Sequence, residues 1–204
     1  MNWKTSYATR ETWLCLDFAN TLKWRGRGPA EEHLGTYADL VAWGRKIGLM
    51  TDEASAKRKA RADRQPHDAA AVHSKAIALR ERIYRIFSPI AAGDVPAQAD
   101  IDQLNADITE AAPHLRVASA DGAFAWNWAD PAESLESLLW PIVLSAAQLL
   151  TSDDLGRVGE CEEPICGYLF FDASKNHSRR WCRMDLCGNR AKFRRYYRRQ
   201  QAVG

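Results

Sequence analysis

No apolar run in this chain of 204 residues is long enough to cross a bilayer. The longest, Leu138 to Leu150, is broken by Pro141, Ser145 and Gln148 and falls short of the roughly 20 residues a spanning helix needs. No membrane partner is expected. Met1 to Thr12 carries Lys4, Arg10 and Glu11 without an apolar segment or small-residue cleavage site, so a cytoplasmic protein without a secretory signal is expected. Histidine is sparse and scattered, at His33, His67, His73, His114 and His177. There is no Gly-rich phosphate loop, no G-x-S-x-G elbow and no H-E-x-x-H, so an enzyme is not expected. Low-complexity stretches and repeats are missing too, and with 46% hydrophobic and 26% charged residues the composition excludes disordered and collagen-like chains.

Acidic residues nearly vanish from residue 173 onward. That tail holds ten of the 28 lysines and arginines but one of the 26 acids, Asp185, giving +9 against −7 for the rest. A mildly acidic body with a strongly basic end points to a polyanionic partner for that end. Cysteine is concentrated in the same region. Only Cys15 lies outside the series Cys161, Cys166, Cys182 and Cys187, spaced C-x4-C-x15-C-x4-C. Without a secretory signal, disulfides explain this series poorly. Two short loops that each offer two thiolates would complete the tetrahedral four-sulfur shell that zinc favours, with no position left for substrate, so the metal would be structural. An iron–sulfur cluster and two incidental pairs of core cysteines are the alternatives.

Hydrophobic spacing predicts a mainly helical body, residues 1–152, before a small module, residues 153–204. Leu34, Tyr37, Leu40, Val41, Gly44 and Ile47 keep helical spacing up to Gly48, and Thr51-Asp52-Glu53 opens another, polar helix. One long amphipathic helix is predicted from Pro66 to Ala92, stopping at Gly93, and a shorter one around Ile101, Leu104 and Ile108. Leu115 to Val117 and Phe124 to Trp128 alternate around Asp121-Gly122, a hairpin expected to pack on the helices. Asp130-Pro131-Ala132-Glu133 reads as the start of a last body helix running through Leu149, kinked at Pro141.

In the module, Tyr168 to Phe171 reads as a strand, Arg180-Trp181 as its return and residues 184–200 as a helix, together a treble-clef-like finger in which zinc substitutes for a core. On that helix Leu186, Phe193, Tyr196 and Tyr197 share one face and are expected to pack against the hairpin. Arg190, Lys192, Arg194, Arg195, Arg198 and Arg199, with Arg179, Arg180 and Arg183 upstream, are the candidate contacts to phosphates or guanine edges. In the body, Asp17, Asn20 and Arg25 are candidate polar groups of a small-ligand pocket, against the plainer reading of Asp17 and Asn20 as helix caps or partners of buried backbone.

Cys187-Gly188-Asn189-Arg190, preceded by Ser178-Arg179-Arg180-Trp181-Cys182, closely resembles the CGNR zinc-finger family. Leu14-Cys15-Leu16-Asp17-Phe18-Ala19-Asn20-Thr21 and Leu138-Leu139-Trp140-Pro141 resemble its usual companion, the ABATE domain. The resemblance covers nearly the whole chain. It implies a bacterial, stress-associated transcription regulator with one structural zinc ion, a DNA-binding C-terminus and an N-terminal domain that senses an effector or dimerises. RNA binding, and docking of the basic helix on an acidic protein, are the alternatives; homodimers and oxidative zinc release are further expectations.

Overall fold

The computed structural model describes residues 12–25, 29–120, 122–129 and 134–201. At its centre is a short helix, α1 (Leu14–Ala19), with five of its six residues buried. No amphipathic pattern survives in so short a segment, because neighbours cover every residue of it except Asp17. The Cys15 amide donates to Ser145 Oγ at 3.1 Å, and burial pushes the Cys15 thiol up to about 12, which makes it inert. A two-residue ladder follows, β1 (Leu22–Lys23) against β2 (Glu31–Glu32).

Helix α2 (Tyr37–Lys46) starts at Thr36, whose side chain accepts from the Asp39 amide while Asp39 caps Thr36 in return. The next helix, α3 (Asp52–Arg64), starts at Thr51. The predicted long helix is α4 (Pro66–Ala92), opened by proline in its first turn and closed by Gly93 at φ 86°, a left-handed conformation that glycine adopts without strain. Ala69, Ala76, Leu79, Ile83, Ile86 and Phe87 form its buried stripe. Arg80 lies in that stripe as well, compensated by Glu32 at 2.6 Å and Glu81 at 2.9 Å. Helix α5 (Gln98–Ala111) completes this layer.

The hairpin forms as β3 (Leu115–Ala120) against β4 (Ala123–Trp128). Only its base reaches the body, where Trp128 lies 5.7 Å from Trp140 and His114 stacks on Trp140 at 3.9 Å. Val117 and Phe124, nearer the turn, stay exposed. The next helix, α6 (Trp140–Leu150), corrects the predicted kink: Pro141 sits in its first turn, after a single 3-10 turn at Glu136–Leu138. A proline there loses no hydrogen bond and starts the helix instead of bending it. Asp130 to Glu133, the expected start, lie outside the described residues.

The chain then forms β5 (Val158–Glu160), which pairs antiparallel with β6 (Leu169–Phe171). This corrects the expected hairpin: the partner of β6 precedes it, and Arg180-Trp181 forms no strand, although the Arg180 carbonyl accepts from the Glu162 amide at 3.0 Å. Side chains alternate along β6. Leu169 and Phe171 join the main core, whereas Phe170 faces the cysteines. Gly159 makes this possible, since a Cβ there would lie 2.7 Å from the Phe170 ring. The finger ends in α7 (Asn189–Gln201).

Candidate metal centre and basic helix

Two loops carry the four cysteines. Cys161 follows β5 directly, and the Cys166 amide donates to the Glu163 carbonyl at 2.8 Å, turning the chain back before Gly167 at φ 67°. Cys182 precedes a wide turn of π-helix, Met184–Gly188, in which the amides of Cys187 and Gly188 both donate to the Arg183 carbonyl, at 3.0 and 3.1 Å. Gly188 carries no Cβ, and one built there would lie 2.3 Å from the Met184 sulfur. All four sulfurs lie within 4.8 Å of one another, with Cys166 to Cys182 and Cys182 to Cys187 at 3.6 Å. A tetrahedral ion with Zn–S of about 2.3 Å needs sulfurs about 3.8 Å apart, so the arrangement fits one zinc ion.

Its chemistry fits as well. Packed beside Cys161, the Cys166 thiol is pushed up to about 12 by its hydrogen bond to that neighbour, and Cys182 rises for the same reason. Burial raises Cys187. Cys161 moves the other way, held low by its hydrogen bonds with Cys166 and Cys182, so without a metal one thiolate is held among protonated neighbours, and all four ionise together only beside a multivalent cation. Cys161, Cys166, Cys182 and Cys187 would hold it as a closed shell, a structural and not a catalytic arrangement. His177 is not one of the clustered ligand groups.

Several of the predicted cations build the finger itself. Arg179 donates to the carbonyls of Phe171 at 3.0 Å, Trp181 at 3.1 Å and Cys182, while its guanidinium lies over the Phe170 ring. Arg194 reaches back from α7 to Glu163 at 2.7 Å. Glu163 is one residue the sequence reading missed: its side chain is 1% exposed, between the two cysteines of the first loop. Arg180 pairs with Glu162 at 2.6 Å and Arg183 with Asp185 at 2.6 Å, both at the surface. Arg190 lies over the Trp24 ring at 5.0 Å. Lys192, Arg195, Arg198 and Arg199 have no partner among the described residues.

Of the candidate pocket residues, Asp17 and Asn20 line one cavity and Arg25 lies apart from it. Asn20 is fully used: its Nδ2 donates to the Leu169 carbonyl at 2.8 Å and its Oδ1 accepts from the Leu169 amide at 2.9 Å. It therefore pairs with β6 as a strand residue would, which agrees with its reading as a partner of buried backbone, although no local pattern names Leu169 as that partner. Arg25 is also engaged, with Glu81 at 2.6 Å, the Ala19 carbonyl at 3.1 Å and the Tyr84 ring at 4.2 Å. Asp17 remains. It faces a cavity of about 320 Å³ between α1 and the finger, lined also by Trp13, Asn20, Tyr168, Phe170, Arg179 and Arg183, and burial raises its carboxyl to about 6. Arg25 does not line this cavity.

A helical domain docked on a four-thiolate finger is the class of protein these elements define. Residues 13–153 match the ABATE family, described as "Putative stress-induced transcription regulator", and residues 157–200 match the CGNR zinc finger. The chain belongs to the ABATE family and carries a CGNR zinc finger at its C-terminal end. A search of curated proteins finds no match. Both matched families are of regulator and zinc-finger type, and no described helix is long and apolar enough to cross a membrane.

Two outcomes follow from this geometry. Asn20→Asp loses the donor to Leu169 and sets a carboxylate against its carbonyl, so stability should fall by about 1–3 kcal/mol in urea unfolding, with faster hydrogen exchange at the Leu169 amide. For Asp17, the native state holds the proton more tightly than an unfolded chain, whose carboxyl titrates near 3.8. Ionisation therefore destabilises the fold increasingly between about pH 4 and pH 6, and the full cost persists above. Asp17→Asn should be more stable than the parent at neutral pH and no more stable below about pH 4, measured by the urea midpoint at each pH.

Proposed function

We propose that the protein is a transcription regulator that binds DNA through its finger and α7. The observation that carries this reading is the set Lys192, Arg195, Arg198 and Arg199, four unpartnered cations on one helix of a metal-held module. Unpaired cations at this density gain by releasing counterions from a phosphate backbone. Arg180, Arg183 and Arg190 belong to the same finger and can join the set, because solvent-exposed pairs such as Arg183 with Asp185 are weak and exchange readily for phosphate. Arg179 and Arg194 contribute charge while holding the two cysteine loops in place.

The second part of the proposal gives the helical domain a sensing role. Asp17 is a carboxylate without a hydrogen-bonding or charged partner among the described residues, in a cavity whose walls come from α1 and from the finger. Arg179 and Arg183 line the same cavity but are engaged by backbone carbonyls and by Asp185, so a small molecule with a protonated nitrogen fits Asp17, with Trp13 and Tyr168 against its apolar part.

Four phosphate contacts predict that the logarithm of the duplex affinity falls with the logarithm of salt at a slope of about −3 to −4. Each of Lys192→Ala and Arg195→Ala should reduce that slope by about one, and Cys182→Ser/Cys187→Ser should abolish binding. Zinc bound at one per chain without affinity for DNA refutes the reading, and preference for an RNA competitor transfers it to RNA. For the sensor, a thermal-shift screen of organic amines should yield a ligand that stabilises the parent and not Asp17→Asn. That ligand must also change DNA affinity, since one that binds both states equally regulates nothing.

A further inference from the structure

The aromatic side chains of α7 stand in solvent, which overturns their expected packing against the hairpin. Phe193, Tyr196 and Tyr197 are 65%, 58% and 62% exposed. Their helical positions place them on one ridge, and Lys192, Arg195 and Arg199 on the ridge beside it. Ala191 and Arg194 occupy the opposite side, where Arg194 is tied to Glu163. Tyr196 and Tyr197 meet edge to face at 5.7 Å and 77°, so the two rings do not stack on each other. Phosphate contact alone does not require three exposed rings, and the half-buried residues of the helix, Ala191 and Arg194, lie on the side away from them.

We propose that this double ridge holds DNA with unpaired bases, the phosphates along Lys192, Arg195 and Arg199 and the bases stacked on Phe193, Tyr196 and Tyr197. The proposal rests on the DNA-binding reading above and adds the form of DNA bound. Base faces are closed to a side chain in an intact duplex and open in a single strand or a melted bubble, where a ring and a basic groove together bind without regard to sequence. Charge complementarity selects this occupant over pairing of α7 with the α7 of a second copy. Helix α7 contains no acidic residue, so self-pairing would set guanidinium groups against one another. Asp185, the nearest acid in sequence, is held by Arg183.

The test uses the full zinc-loaded chain with a labelled single strand, its duplex, and the same duplex with a mismatched bubble, read by fluorescence anisotropy. The parent, Phe193→Ala/Tyr196→Ala/Tyr197→Ala and Lys192→Ala/Arg195→Ala/Arg199→Ala are compared, each checked for helix content and one zinc per chain. Strand and bubble should bind about tenfold or more tighter than duplex. The aromatic variant should lose this preference while its duplex affinity stays within about twofold, and the charge variant should weaken on all three. Equal affinity of the parent for strand and duplex, or preference kept by the aromatic variant, overturns the proposal and leaves duplex binding standing. Absence of binding to any of the three defeats the DNA-binding reading itself. A dimer of the parent that the aromatic variant loses in sedimentation, or displacement of the strand by polyglutamate as effective as by unlabelled strand, assigns the ridge to another partner and overturns the proposal as well.

Discussion

Strand β6 belongs to two cores at once, and the rest of the molecule is arranged around that fact. Its three residues are all buried: Leu169 and Phe171 in the helical body, Phe170 among the cysteines. A segment this short cannot hold such a position by its own ladder. It depends on β5 on one edge, on the Asn20 amide that pairs with Leu169, and on the Arg179 guanidinium that takes the Phe171 carbonyl. Three different kinds of backbone partner thus meet at one strand. The result is a finger that is docked on the body and not merely tethered to it.

This arrangement explains why so small a module is folded. A few tens of residues bury too little apolar surface to offset their own chain entropy, and a four-thiolate ion supplies the missing stabilisation. The helical body adds a second support, because Tyr84 and Ser88 of α4 donate to Glu160 at 3.1 and 2.5 Å beside the first cysteine. Metal and body therefore stabilise the same strand pair from opposite sides. The cavity beside Asp17 is walled by both α1 and β6, so it adjoins the strand on which the two supports meet.

The charge of the tail is divided between construction and display. Arg179 and Arg194 are buried in function if not in area, since each satisfies groups that the cysteine loops leave without partners. The remaining cations of α7 have no such duty among the described residues. A count of basic residues cannot distinguish the two sets, because the distinction depends on the carbonyls that Arg179 reaches and on Glu163 beneath Arg194, which come into place only after the loops have closed.

Much was legible from local chemistry alone. Capping residues, helical spacing and Gly93 locate the long helix Pro66–Ala92 to the residue, and the C-x4-C pairs identify the metal ligands, because both signals act over a few neighbouring positions. The family signature adds the identity of the domains. Partners distant in the chain were decided by the tertiary structure: β5 and not Arg180-Trp181 beside β6, Asn20 as a backbone partner 149 residues from Leu169, and Pro141 as the start of a helix. The aromatic face of α7 shows the physical reason. Periodicity states which side chains share a face, but whether that face meets protein or solvent depends on what other elements leave uncovered, and here the half-buried side of the helix is that of Ala191 and Arg194, not that of the rings.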